Sequence, residues 1–167
     1  MKSPLCEECL KSKTLCDTCS KTMEKNNMSK EEAEVLRFVY NLSKKTPSLG
    51  DVSIVKVINH NVLLIITGRG DAAKLVGKGG SVVKQIAKKF KKSIRILEQA
   101  PEFKDFIEDL VMPANVSGIN TLYRDNEEIT RIRVPEFQRS HILLTPEDFS
   151  QVVSHFFKRK AELVFEV

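Results

Sequence analysis

No run of apolar residues in this chain approaches the roughly 20 needed to span a bilayer. The opening residues, Met1-Lys2-Ser3-Pro4-Leu5-Cys6, lack the apolar h-region of a secretory signal. These two absences set the expectation of a cytoplasmic protein with no membrane partner, in which thiols stay reduced. Histidine is scarce. His60, His141 and His155 have no cysteine or acidic residue at motif spacing, so a hydrolytic or metal-catalytic centre is not expected. Glu108-Asp109 and Glu127-Glu128 read as solvated faces rather than paired catalytic carboxylates. The chain therefore reads as a binding protein and not an enzyme, with no small-molecule substrate expected.

What is present is enough for a core. The 167 residues suit one ordinary domain or two or three small ones, and 41% are hydrophobic. The net charge of +5 and the pI of about 9.0 suit an anionic partner only where the charge is localised.

All four cysteines fall in the first twenty residues, as Cys6-X2-Cys9-X6-Cys16-X2-Cys19. Each Cys-X-X-Cys can form a knuckle that points two thiolates at one ion, and two knuckles complete a tetrahedral four-sulfur site. Zinc is the first reading because the site is closed and sulfur-only. An iron–sulfur cluster and a redox dithiol pair are the alternatives. So short a segment cannot bury a core, so the metal is expected to supply most of its folding energy.

Residues 20–27 are polar and read as a linker. Ser29 then offers an N-cap, Glu31 and Glu32 complement the helix dipole, and Ala33, Leu36, Val39, Tyr40 and Ser43 recur at helical spacing, predicting a helix over 30–45. Two β-rich runs, 51–60 and 62–67, follow, the second apolar throughout as in a buried central strand. A turn at 68–71, a short helix over 72–76, a glycine loop, a helix over 81–91 and a strand over 94–97 close the series. Beyond it come a helix over 101–110, a hairpin of 116–123 and 129–134 across residues 124–127, a helix from Pro146 to about residue 160 capped by Thr145, and a terminal strand over 163–167. The second half thus echoes the first as a degenerate repeat.

The central motif is Leu75-Val76-Gly77-Lys78-Gly79-Gly80-Ser81, between two helices. Three glycines in four residues admit close approach of another backbone, and the following helix start attracts phosphate. A P-loop would need glycine where Ala72 stands and Ser or Thr where Gly79 stands, so it fails. A dinucleotide fingerprint would need a third glycine where Val82 stands. The Gly-X-X-Gly of a KH module fits, with Leu75, Val76 and Ile86 as walls of a narrow groove that reads unstacked bases while the loop grips the nucleotide backbone.

Charge agrees with that reading. Between Arg69 and Arg95 the chain carries Arg69, Lys74, Lys78, Lys84, Lys88, Lys89, Lys91, Lys92 and Arg95 against Asp71 alone, an excess of eight that surpasses the whole-chain +5 and leaves the remainder net acidic. The candidate RNA-binding residues are Gly77, Lys78, Gly79, Gly80, Ser81, Lys84, Arg69, Lys74, Val76 and Ile86, and the candidate metal ligands are Cys6, Cys9, Cys16 and Cys19. Secondary contacts could come from Lys158-Arg159-Lys160, Arg131 and Arg133. The expected ligand is single-stranded RNA, with single-stranded DNA as its near alternative.

Residues from about 30 to 167 resemble the archaeal NusA-like proteins, which carry two tandem type II KH domains and serve transcription elongation and termination. The resemblance rests on Leu75-Val76-Gly77-Lys78-Gly79-Gly80 with Val83-Lys84, on Lys92-Ser93-Ile94-Arg95-Ile96-Leu97-Glu98, and on Phe106 through Val116. It implies a type II KH domain over 28–100 and a degenerate KH-like unit over 101–167, which with the zinc knuckle read from the cysteine spacing over 1–27 make an α+β fold. Two departures stand out. The last glycine is Gly118, so the second unit has no glycine loop, and Ser140-His141-Ile142-Leu143-Leu144-Thr145 occupies its place. The cysteine segment is the other addition. A second functional reading follows from both, an adaptor that docks on RNA polymerase or the ribosome.

Overall fold

A computed structural model describes all 167 residues, as an α+β chain with two three-stranded sheets. It divides into two units, Met1–Gln99 and Ala100–Val167. The first runs α1 (Glu7–Lys11), α2 (Asp17–Lys25), α3 (Lys30–Lys45), β1 (Ile54–Asn59), β2 (Val62–Thr67), α4 (Ala72–Val76), α5 (Ser81–Phe90) and β3 (Ser93–Glu98). The second runs α6 (Phe103–Val111), β4 (Gly118–Arg124), β5 (Glu127–Pro135), α7 (Pro146–Phe157) and β6 (Lys160–Glu166). No helix is long and apolar enough to cross a membrane.

The start of α3 is a complete capping box. The Ser29 hydroxyl accepts from the Glu32 N–H at 3.1 Å, and the Glu32 carboxylate accepts from the Ser29 N–H at 2.9 Å. The second carboxylate oxygen of Glu32 accepts from the Asn59 N–H at 2.9 Å, tying the helix start to the end of β1. Ala33, Leu36, Val39 and Tyr40 are buried, as their spacing predicts.

All six residues of β2 are buried, and it is the central strand, as a continuous apolar run requires. It pairs antiparallel with β1 and parallel with β3. A parallel partner needs a crossover, and here α4, the glycine loop and α5 supply it. Leu36 and Val39 of α3, Leu63 and Ile65 of β2, Leu75 of α4 and Ile86 of α5 join one buried cluster.

The expected linker over 20–27 is instead mostly helix, since α2 reaches Lys25. The Cys16 sulfur caps it by accepting from the Cys19 N–H, Asp17 sits in its first turn, and Cys19 and Met23, four residues apart, are its buried stripe. Two inward residues are too few to show as periodicity among so many polar neighbours. Before α1, Lys2 pairs with the chain at Ser53, its N–H donating to Val52 and its carbonyl accepting from Ile54, both at 2.8 Å.

The second unit repeats the topology: β5 lies centrally, antiparallel to β4 and parallel to β6. The β4–β5 turn is tighter than expected. Asp125 and Asn126, with φ of 50° and 63°, form it alone, and Arg124 already pairs with Glu127. Thr145 caps α7 by accepting from the Asp148 N–H at 3.1 Å, with Pro146 in the first turn. Lys158 turns left-handed (φ 52°, ψ 33°), so α7 stops short of residue 160 and β6 begins there. Phe106 packs against Phe156 and Phe157, each with centroids 5.3 Å away, and Phe103 meets Phe157 at 5.0 Å.

Glu32→Ala removes the acceptor for two backbone N–H groups, whereas Ser29→Ala removes the acceptor for one. The expected losses are about 2–3 kcal/mol and about 1 kcal/mol respectively, read from denaturant midpoints. Equal losses would show that the bond to Asn59 carries no stability.

Candidate functional site

The glycine loop is set by its first residue. Gly77 has φ 76° and ψ 167°, and a Cβ there would lie 2.6 Å from the Val82 Cγ2, so no other residue fits without moving the first turn of α5. Its carbonyl accepts from the Gly80 N–H at 3.0 Å, closing the turn. Gly80 is the N-cap of α5 and gives it no side-chain acceptor. The Ser81 N–H donates to the Lys78 carbonyl, so the loop runs straight into the first turn of α5, whose positive end stabilises an anion.

Around this opening the structure brings together Gly77, Lys78, Gly79, Gly80, Ser81 and Lys84. Lys78 and Ser81 are exposed, and the Lys84 ammonium donates to the Gly79 carbonyl at 3.2 Å, lying back across the loop. Val76 is 38% exposed beside it. Arg69 is exposed on the preceding turn. Lys74 is also exposed, but its ammonium is held by Asp71 at 2.9 Å. The hydrogen bond from Lys74, and then that from the Ser53 N–H, hold the Asp71 carboxyl below its ordinary range. Ile86 departs from the expectation of a groove wall: it has no exposed surface and packs in the core with Leu75 and Val82, so Val76 is the open apolar side chain here. Ile86 follows Val82 by one helical turn, and that buried stripe claims it.

The four thiols form a second candidate site. Their sulfurs all lie within 4.8 Å of one another, with Cys6 and Cys16 at 4.0 Å. Cys9 and Cys19 are buried, while Cys6 and Cys16 are exposed. Backbone donors point at the sulfurs, from Cys6 N–H to Cys19 at 3.3 Å and from Cys16 N–H to Cys9 at 3.1 Å. The Cys19 N–H, and then the Cys19 thiol, lower Cys16 to about 7, whereas burial pushes Cys19 up to about 12. The arrangement can hold one metal ion.

Sequence reasoning missed the residues that seat this module. Arg37 donates to the carbonyls of Cys9 at 3.0 Å and Lys13 at 3.4 Å. The Tyr40 hydroxyl donates to Glu7 at 2.6 Å, and this bond, with Lys11 behind it, lowers the Glu7 carboxyl to about 2. The signal was there: Arg37 sits four residues after Ala33, where a charge interrupts the apolar stripe of α3.

No protein-family model matches the chain. A curated relative, the "Probable transcription termination protein NusA" of Methanococcus vannielii, is 28% identical over 81 residues, which is 48% of this chain and 47% of the relative. The chain thus spans about half the length of the curated relative it matches. A crystal structure of APE1850 superposes with a TM-score of 0.59 at 20% identity, covering 78% of this chain and 96% of that one. The sequence likeness is distant; the fold likeness is broad.

Removing an ion held by these thiols is expected to lower the melting temperature of the first unit, because Leu5, Leu10 and Met23 share the core with Cys9 and Cys19. Metal affinity should fall with falling pH, since protons compete for the thiolates. Metal content and calorimetry, with and without chelator, check both. A chelator-insensitive melt, or an affinity flat with pH, would contradict a thiolate-held ion.

Proposed function

We propose that this chain binds single-stranded RNA through a type II KH groove opening at Gly77–Gly80, and that it is a binding protein rather than an enzyme. The observation that carries this is the loop itself, a Gly-X-X-Gly turn that ends at a helix start without a side-chain cap, inside the one strongly cationic stretch of the chain. The order helix, strand, strand, helix, loop, helix, strand supports the KH assignment, as does the distant NusA relative. That relative's name supports a role in transcription. In this reading Lys78, Lys84 and Arg69 meet phosphates, Val76 meets a base, and Lys74 joins once drawn from Asp71.

The cysteine cluster is read as a structural zinc site. A tetrahedron with Zn–S of about 2.3 Å has sulfur–sulfur edges of about 3.8 Å, close to the 4.0 Å between Cys6 and Cys16. Sulfurs this near one another enclose a single ion and leave no room for a multi-iron cluster. When bound, zinc would supply cross-linking and no catalysis. One zinc and no iron per chain by elemental analysis is the expected result.

The second reading, an adaptor docking on RNA polymerase or the ribosome, draws on the second unit. It repeats the strand topology, but residues 140–145, which run from the end of a 3-10 turn (Glu136–His141) to the start of α7, stand where a glycine loop would be.

Fluorescence anisotropy of labelled single-stranded RNA and DNA, at several salt concentrations, separates the two readings. The wild type should bind RNA with a slope of about −0.7 per phosphate contacted. Lys78→Asp/Gly79→Asp should lose at least about tenfold while remaining folded. A Cβ at Gly79 meets nothing within 4 Å, and Asp tolerates its φ of 61°. Equal binding by both proteins, or by neither, sinks the groove reading in favour of the adaptor.

A further inference from the structure

A groove of about 940 Å³ runs along α3, walled by the segment between the two cysteine pairs, by α2 and by the end of α5. From Lys30 to Asn41, α3 gives it one residue stripe at three- and four-residue spacing, about 16 Å long at the helical rise. The floor is apolar, made by Leu10, Leu15, Met23, Phe38 and Phe90. Phe38 and Phe90 meet edge to face with centroids 5.7 Å apart. The rim is cationic: Lys11, Lys13, Lys30, Arg37 and Lys89 line the groove against Glu34 alone.

The walls are set in advance. Arg37 fixes the intervening segment at both Cys9 and Lys13, so little ordering cost remains for an incoming partner. The length suits about three helical turns, whose anchors would fall at i, i+3 or i+4, and i+7. We propose that this groove docks an acidic amphipathic helix of a protein partner, its apolar stripe on the floor and its carboxylates on the rim.

Charge decides against a basic helix: Lys11 is held by Glu7 and Glu8, but Lys13, Lys30, Arg37 and Lys89 still oppose it, with Glu34 alone of opposite sign. The floor decides against a nucleic acid. A single strand needs open ring faces for stacking, whereas this floor is largely aliphatic and its two rings pack on each other. Lys89 belongs to the cationic stretch around the loop, but Lys13 and Lys30 lie outside it, so changing those two separates this proposal from the RNA reading.

The test uses the full, metal-loaded chain. The probe is a fluorescein-labelled peptide of about sixteen residues, with Leu or Phe at i, i+3, i+4 and i+7 and Glu elsewhere, beside a twin with Lys for every Glu. The acidic peptide should bind with a roughly micromolar Kd and the twin at least about tenfold more weakly. Lys13→Glu/Lys30→Glu, and separately Leu15→Ala, should each weaken acidic-peptide binding by about tenfold, with circular dichroism and RNA affinity unchanged. No binding of the acidic peptide, equal binding of the twin, or full affinity in both variants overturns the proposal. So does a charge-reversal variant that loses RNA while the peptides never bind, which would make the groove a nucleic-acid surface.

Discussion

Leu36 and Val39 of α3 have no solvent exposure because this helix is packed from more than one side. The same buried cluster joins it to Leu63 and Ile65 of the sheet, to Ile86 of α5, and to Leu5, Cys9, Leu10 and Cys19 of the cysteine module. A helix so enclosed cannot shift for one neighbour without disturbing the others, since cores transmit displacement rather than absorb it. Its start is fixed by Glu32, which caps the helix and holds the end of β1 at once. The cysteine segment and the glycine loop thus share a foundation, although they lie far apart in sequence.

The loop depends on that foundation through the crossover. β2 and β3 are parallel, so the chain between them must cross the sheet, and α4 and α5 do so with the loop between them. Leu75 and Ile86, both fully buried, pin the two helices on either side of the glycines. What remains free is a short backbone arc, with Lys78 and Ser81 pointing outward and the start of α5 behind them. The second unit has the same crossing of β5 to β6, but carries it over a 3-10 turn and α7. The strand order is the same there, and the glycine arc is absent.

Long periodic segments and terminal signals were legible in the sequence. Ser29, Glu32 and the apolar spacing placed α3 at its observed ends, and the run Val62 through Ile66 announced the central strand. Short or sparsely buried elements were not. Only Cys19 and Met23 face inward on α2, so its polar residues mimic a linker. The end of α7 turns on a left-handed Lys158, a conformation no composition announces. At the candidate site, the loop and the cysteine cluster could be read from spacing. The burial of Ile86 and the pairing of Lys74 with Asp71 could not, because each depends on what the fold sets against them. Arg37 shows the same limit in reverse: a charge on an apolar stripe marks a partner, but only the fold identifies that partner as two carbonyls of the cysteine module.

The three glycines of the loop are unequal before mutation. At Gly79 a side chain would extend into open space, and at Gly80 it would meet only the tip of Lys84 at 3.8 Å. At Gly77 it would collide with Val82. A lineage drifting through neutral changes could exchange either of the later glycines for asparagine, which accepts a left-handed backbone, and keep the path of the chain. The first offers no such step. Purifying selection should therefore act on this loop unevenly, silencing variation at one position while leaving its neighbours open to change.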